Sequence, residues 1–113
     1  MPNVDLAQVE EDKITKYLLS DIHPVGRSKS AFFQRFGFRA RAWEVLRDAM
    51  LDHARSGALM STTETIFGKK YIIEGSLACP DGRRPLVRTV WFTEHGAEIL
   101  RLVTAIPVPG GEE

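Results

Sequence analysis

Gly57 divides this chain into two hydrophobic grammars, and that division limits the fold more than any other feature. Before it, apolar residues recur at three and four, the spacing of one helix face. After it, β-branched, threonine and aromatic residues gather in short runs separated by turn residues. The first period predicts a helix from Lys13 to Ser20, carrying Ile14, Tyr17 and Leu18 on one side. His23-Pro24 closes it, because the residue before proline is pushed out of the helical region. A second helix is predicted from Arg27 to Phe36, with Ala31, Phe32 and Phe36 facing inward, Phe33 flanking them, and Gly37 at the left-handed cap position. The third, Arg41 to Ser56, has the clearest stripe: Ala42, Trp43, Leu46, Ala49, Met50 and His53, stopped by Gly57.

The four later runs are Leu59 to Phe67, Lys70 to Ala78, Leu86 to Thr93 and Ile99 to Ile106. Gly68-Lys69, Pro80-Asp81-Gly82 and His95-Gly96 link them. Links this short join neighbouring strands antiparallel. The expected architecture is therefore α+β, with three N-terminal helices packed on one face of a four-stranded antiparallel meander. Face assignment stays open in the third and fourth strands. Arg88 shares a side with Leu86, Val90 and Phe92, while Thr89, Trp91 and Thr93 share the other, so both sides carry apolar residues.

At 113 residues the chain is long enough for one domain with its own core, and 43% hydrophobic residues agree. The polar, acidic residues 1–12 are expected to form a flexible arm, 13–107 the domain, and 108–113 a flexible tail rich in Pro and Gly. Fifteen Lys and Arg against fifteen Asp and Glu leave no global field to attract a polyanion. Any such site must be local. The acids collect near the ends, whereas Arg27, Lys29, Arg35, Arg39 and Arg41 follow one another with no acid between them. A single cysteine, Cys79, excludes an internal disulfide and fits a reducing compartment. No apolar run approaches the ~18–20 residues of a membrane span, and no secretory signal pattern is read, so a soluble, cytoplasmic protein is expected.

Chemistry concentrates between His23 and Phe33. The sequence sets an imidazole, Gly26 and the cations Arg27 and Lys29 around a helix start, whose unbonded N–H groups attract anions. Two cations in a first turn oppose the helix dipole, so something negative should compensate them, either a side chain of the fold or a ligand phosphate. His23 suits proton transfer because an imidazole titrates near neutral pH, although a loop histidine bonded to an acid such as Asp21 reads equally well. His53 lies on the apolar stripe and is expected as a core histidine bonded to a carbonyl. His95 falls in a turn.

No HxH or HExxH spacing occurs and one cysteine builds no zinc site, so no metal is expected; without a GxGxxG or Walker loop, no nucleotide cofactor is expected either. Ser28 and Ser30 lack the surroundings of a serine nucleophile. What remains is basic and hydroxylic: His23, Arg27, Lys29, Arg88, Thr89, Arg101 and Thr104, with Tyr71 and Trp91 as the aromatic surfaces expected to stack a base. Metal-independent RNA cleavage uses that inventory, since one group takes the 2′-OH proton, one protonates the leaving oxygen, and cations stabilise the phosphorane. In the competing reading, Arg88 and Arg101 merely pair with carboxylates such as Glu64, Glu74 and Glu94.

The segments HPVGRSKSAFFQRFGF, AWEVLRDAMLDHA, VRTVWF and RLVTAIP, spread from Lys13 to Pro107, resemble an uncharacterised bacterial domain family. Its members occur alone and at the C-termini of large secreted bacterial toxins and adhesin-like proteins. The resemblance implies a fold similar to ribonuclease toxins of the barnase, colicin D and RelE types. By position it marks His23, Gly26, Lys29, His53, Arg88, Trp91, Arg101 and Thr104, while Ile106 stands where the family pattern has tyrosine. The leading expectation is a metal-independent endoribonuclease of toxin type. His23, Lys29, Arg88, Arg101 and Thr104 are its catalytic candidates, Gly26 and Arg27 its phosphate binders, and Tyr71 and Trp91 its stacking residues. The alternatives are a non-catalytic module docking an acidic antitoxin or immunity protein, and a scaffold with no site.

Overall fold

In a computed structural model, which describes residues 4–24, 26–97 and 99–109, the expected α+β architecture is present. A 3₁₀ turn (Val4–Leu6) leads into α1 (Glu11–Lys13), which widens into a π-helical turn (Ile14–Leu18). Helix α2 (Arg27–Arg35) follows, then a second 3₁₀ turn (Ala40–Ala42) and α3 (Trp43–Ser56). Strands β1 (Ala58–Glu64), β2 (Gly68–Ser76), β3 (Leu86–Glu94) and β4 (Arg101–Pro107) form one antiparallel sheet in the order β1-β2-β3-β4.

Local chemistry explains the helix ends. At the end of α2, Phe38 N–H bonds the Phe33 carbonyl at 3.2 Å and Gly37 N–H bonds that of Gln34 at 3.0 Å, with Gly37 at φ +105°. This is a Schellman cap, and its hydrophobic contact is the edge-to-face pair of Phe33 and Phe38. The link between β1 and β2 lies earlier than Gly68-Lys69. Thr65 Oγ1 accepts the N–H groups of Phe67 and Gly68, so the turn is made at Thr65 to Phe67 and Gly68 already belongs to β2.

Burial decides which face of β3 meets the helices. Val87, Thr89, Trp91 and Thr93 are buried, whereas Leu86, Arg88, Val90 and Phe92 are half-exposed on the other side. Thr93 Oγ1 donates to the Ala97 carbonyl, and Thr89 points inward because the core contains a polar chain. Trp91 Nε1–H donates to Thr89 Oγ1 at 2.8 Å; Thr89 Oγ1 lies 3.0 Å from His53 Nδ1; and His53 Nε2 lies 2.8 Å from the Val87 carbonyl and 3.1 Å from that of Gly75. Carbonyls only accept, so Nε2 carries a proton, and burial disfavours the charged ring, so Nδ1 accepts from the Thr89 hydroxyl. Among the described residues no buried side-chain polar atom lacks a partner.

Two aromatic assignments are corrected here. Trp91 is 0% exposed and Tyr71 only 6%, both within the hydrophobic core, so neither offers a face for a nucleobase. Of the segment read as a flexible arm, 1–12, the turn Val4–Leu6 packs against α3 and Gln8 pairs with the outer edge of β4. Gln8 N–H bonds the Leu100 carbonyl, Leu102 N–H bonds that of Gln8, and Val9 is buried. Of the 108–113 tail, Val108 N–H bonds the Leu86 carbonyl, and 110–113 lie outside the described residues. No helix among the described residues is long and apolar enough to cross a membrane.

Burial holds the His53 imidazole below its ordinary range, outweighing the carbonyls of Val87 and Gly75, which act in the opposite sense. The unfolded chain therefore takes up this proton first as pH falls. The contribution to stability is complete above about pH 6.5 and declines on acidification until the folded pKa is passed. Thermal unfolding should accordingly show a lower midpoint at pH 5.5 than at pH 7.5, with the difference reduced in His53→Gln. Thr89→Val strands the indole N–H and should cost about 1–3 kcal/mol in urea titration; a neutral effect would show that the polar chain is not structural.

Candidate functional site

The π-helical turn of residues 14–18 sets the first component of the site. Leu19 N–H reaches back five residues to the Ile14 carbonyl at 2.7 Å, and this wide turn buries Ile14 and Leu18 while leaving Tyr17 half-exposed toward β4. The Tyr17 hydroxyl lies 3.0 Å from Thr104 Oγ1. Beyond Tyr17, Ser20 Oγ accepts the backbone N–H groups of Ile22 and His23 and turns the chain back. The His23 ring then stands edge-on to the Tyr17 ring at 5.0 Å between centroids.

Gly26 completes the arrangement. Its N–H donates to His23 Nδ1 at 2.9 Å, so the neutral imidazole carries its proton on Nε2. A β-carbon at this position would sit 2.1 Å from the Tyr17 carbonyl oxygen, which only glycine avoids. The phosphate-binding role assigned to Gly26 is thus corrected: its amide is committed to His23, and its value lies in close packing. Asp21, the alternative partner for His23, instead accepts from Ser30 Oγ and Gln34 Nε2 and braces the loop to α2.

Tyr17, His23 and Thr104 line one wall of a cleft of about 830 Å³ between the N-terminal segment and β4. Glu10, Lys13 and Arg101 line it too. Lys13 Nζ lies 5.3 Å from the Tyr17 ring centroid, and Lys29 Nζ reaches the same ring from α2 at 5.6 Å. His23, Arg101 and Thr104, scattered in sequence, therefore line one cleft with Tyr17, and Lys29 reaches the Tyr17 ring from α2 without lining that cleft.

Arg88 is not. It lies on the half-exposed side of β3, directly across from Glu74 in the register, and its Nε and Nη2 donate to Glu74 Oε2 at 2.9 and 2.6 Å. This is the cross-strand ion pair of the competing reading, and Arg88 leaves the candidate site. Arg101 also has a carboxylate, with Nη1 at 3.1 Å from Glu10 Oε1, but both side chains are more than half exposed and the pair exchanges readily with solvent. Arg27 is exposed at the start of α2 and makes no ion pair among the described residues. Burial first, then Asp81, pushes the Cys79 thiol up to about 11, so it is protonated and unreactive near neutral pH. No group of three or more metal-ligating side chains occurs among the described residues.

Sequence reasoning missed Tyr17, Lys13 and Glu10. Tyr17 reads as one more apolar position of a helix, and only the Lys13–Tyr17 spacing of four hinted that cation and ring share a face.

The family described as a domain of unknown function, DUF6883, matches residues 1–109. The chain belongs to this family. No curated protein matches it. Among solved structures, a contact-dependent growth inhibition toxin–immunity protein complex from Klebsiella pneumoniae 342 contains a similar chain, at 17% identity. The TM-score is 0.72, over 95% of this DUF6883 chain and 97% of the other, a likeness of fold.

Gly26→Ala should destabilise the domain by about 1–3 kcal/mol, because the methyl group overpacks against the Tyr17 backbone. Nitrogen NMR of the His23 ring should show the Nε2–H tautomer in the parent protein and loss of the Nδ1 hydrogen bond in the variant. Unchanged ring shifts and stability would contradict this packing.

Proposed function

We propose that this DUF6883 domain is a toxin-type effector that cleaves RNA without a metal ion in the cleft between Tyr17, His23 and Thr104. The observation that carries the reading is the gathering of proton donors and cations from distant parts of the chain: the His23 ring with its Nδ1 tied to Gly26, the Tyr17 and Thr104 hydroxyls in contact, and two ammonium groups at the Tyr17 ring. Fixed donors around a water-accessible cleft suit a phosphodiester whose charge grows in the transition state. In this mechanism Arg101 turns from Glu10 to the scissile phosphate. The freed Glu10 carboxylate takes the proton of the ribose 2′-OH as its oxygen bonds to phosphorus. His23, entering the reaction as imidazolium with Nδ1 protonated and released from the Gly26 amide, gives its Nε2 proton to the departing 5′-oxygen, leaving a neutral ring and a 2′,3′-cyclic phosphate. Lys29 and Lys13 stabilise the phosphorane oxygens, and Thr104 with Tyr17 orients them. The fold shared with a chain from a toxin–immunity complex agrees with a toxin role.

The second reading is a binding module that docks an acidic protein of immunity or antitoxin type. Its support is the formal charge of zero and the carboxylates already held by Arg88 and Arg101. A stoichiometric complex with an acidic partner, with RNA left intact, is the result that reading requires.

Incubation with total RNA in EDTA should yield fragments ending in 2′,3′-cyclic phosphate. His23→Ala should slow their formation by about 10²–10⁴-fold, Tyr17→Phe should slow it by a smaller factor, and Arg88→Ala should leave it unchanged. Equal activity in the parent protein and a His23→Ala, Lys29→Ala double variant would remove this mechanism.

A further inference from the structure

The basic segment that begins at the cleft does not end there. On α2 the exposed residues Arg27, Ala31 and Arg35 follow one another every four residues, so the two arginines lie on one outward stripe running from the start of the helix to its far end. At that far end the loop between β2 and β3 folds against the Schellman cap and adds another cation. Arg83 lies over the Phe36 ring, 4.1 Å from guanidinium carbon to ring centroid, and Arg35 meets the same ring at 5.3 Å. Arg83 Nη2 also donates to the Arg35 carbonyl, and Arg39 Nη1 donates to the carbonyls of Gln34 and Phe38.

Part of this is ordinary helix capping, since guanidinium groups are attracted to the negative end of a helix. Capping needs only one, however. Here Arg39 and Arg83 are held in exposed positions by three carbonyl contacts and, for Arg83, by the Phe36 ring that Arg35 also meets. Among the described residues two carboxylates border the stripe. Asp81 pairs with Arg83 at 2.7 Å, and Asp21 is engaged by Ser30 and Gln34. Guanidinium groups fixed in advance lose little entropy on meeting phosphate.

We propose that Arg39 and Arg83 form a second phosphate-binding surface, which holds the backbone of a polynucleotide whose scissile phosphate lies in the Tyr17 cleft. The inference rests on the RNA-cleavage reading and names its substrate class as a polynucleotide rather than a dinucleotide. The nine residues of α2 span about 13 Å, or about four base steps at the spacing of stacked nucleotides. The substrate must therefore extend at least that far from the bond that breaks.

The test measures binding with 2′-O-methyl oligoribonucleotides, which lack the attacking hydroxyl and stay intact, at lengths of about two and about twelve nucleotides. The longer probe should bind at least about tenfold more tightly. The Arg39→Gln, Arg83→Gln double variant should abolish this advantage and lower the salt slope of its affinity by about 1.4, at about 0.7 per lost phosphate contact, with the dinucleotide unaffected. The Arg39→Lys, Arg83→Lys variant should recover most of the slope because charge is retained. If the glutamine pair does not fold, each single variant should lower the slope by about 0.7. Equal affinity for both lengths, an unchanged slope, or patch-dependent binding of polyglutamate in place of RNA would each overturn the proposal. Patch-dependent RNA binding without cleavage would uphold this surface and remove the catalytic reading. Cleavage whose KM ignores the patch would do the reverse.

Discussion

The buried chain from the Trp91 indole through Thr89 to His53 and the carbonyls of Val87 and Gly75 is the constraint on which the rest of the molecule depends. It joins helix α3 to the two central strands by directional bonds, where hydrophobic packing alone would permit sliding. A shift of β3 by one residue would carry Trp91 and Thr89 to the outer side and leave His53 Nδ1 without its partner in a dry core. Register in β3 is thereby pinned. Since β4 pairs with β3, the position of Thr104 is set as well.

The cleft is a consequence of that register. Thr104 belongs to the edge strand, 87 residues from Tyr17, and the two hydroxyls meet because the N-terminal segment is pinned to the same strand through Gln8. The π-turn and Gly26 then set the ring of Tyr17 and the tautomer of His23. Each device is local, but each acts only because the sheet supplies a fixed opposite wall. The cations in the cleft face Glu10 and Asp12, so its field is mixed rather than strongly positive. A neutral chain with a mixed-charge cleft has to obtain its grip on a polyanion elsewhere, and the guanidinium cluster around Phe36 lies at the other end of the same helix.

Much of the fold was legible in the residues. The period change at Gly57, the Gly37 stop and the short links between strands rest on local rules, and the helices and the meander order follow from them. The link at Gly68-Lys69 was misplaced because Thr65 makes the turn with its side chain, a choice that glycine content does not reveal. The site was legible where its parts are close in sequence. His23, Gly26 and Lys29 share one loop and helix start, so their proximity needed no tertiary information, although the role of Gly26 did. Trp91 and Tyr71 were misread because an aromatic residue in an alternating strand carries the same pattern whether its face meets a core or a ligand.

By itself the sequence determined the element types, their order, the antiparallel connectivity and the lack of a net charge, since these follow from periodicity, turn chemistry and composition acting over a few residues. Tertiary structure alone decided which side of β3 is inside, that Arg88 meets Glu74 while Arg101 meets Glu10, and that Tyr17 and Thr104 touch. Those outcomes depend on which of two nearly equivalent faces buries its polar groups with partners. That free-energy difference exists only when helix and sheet are already in contact.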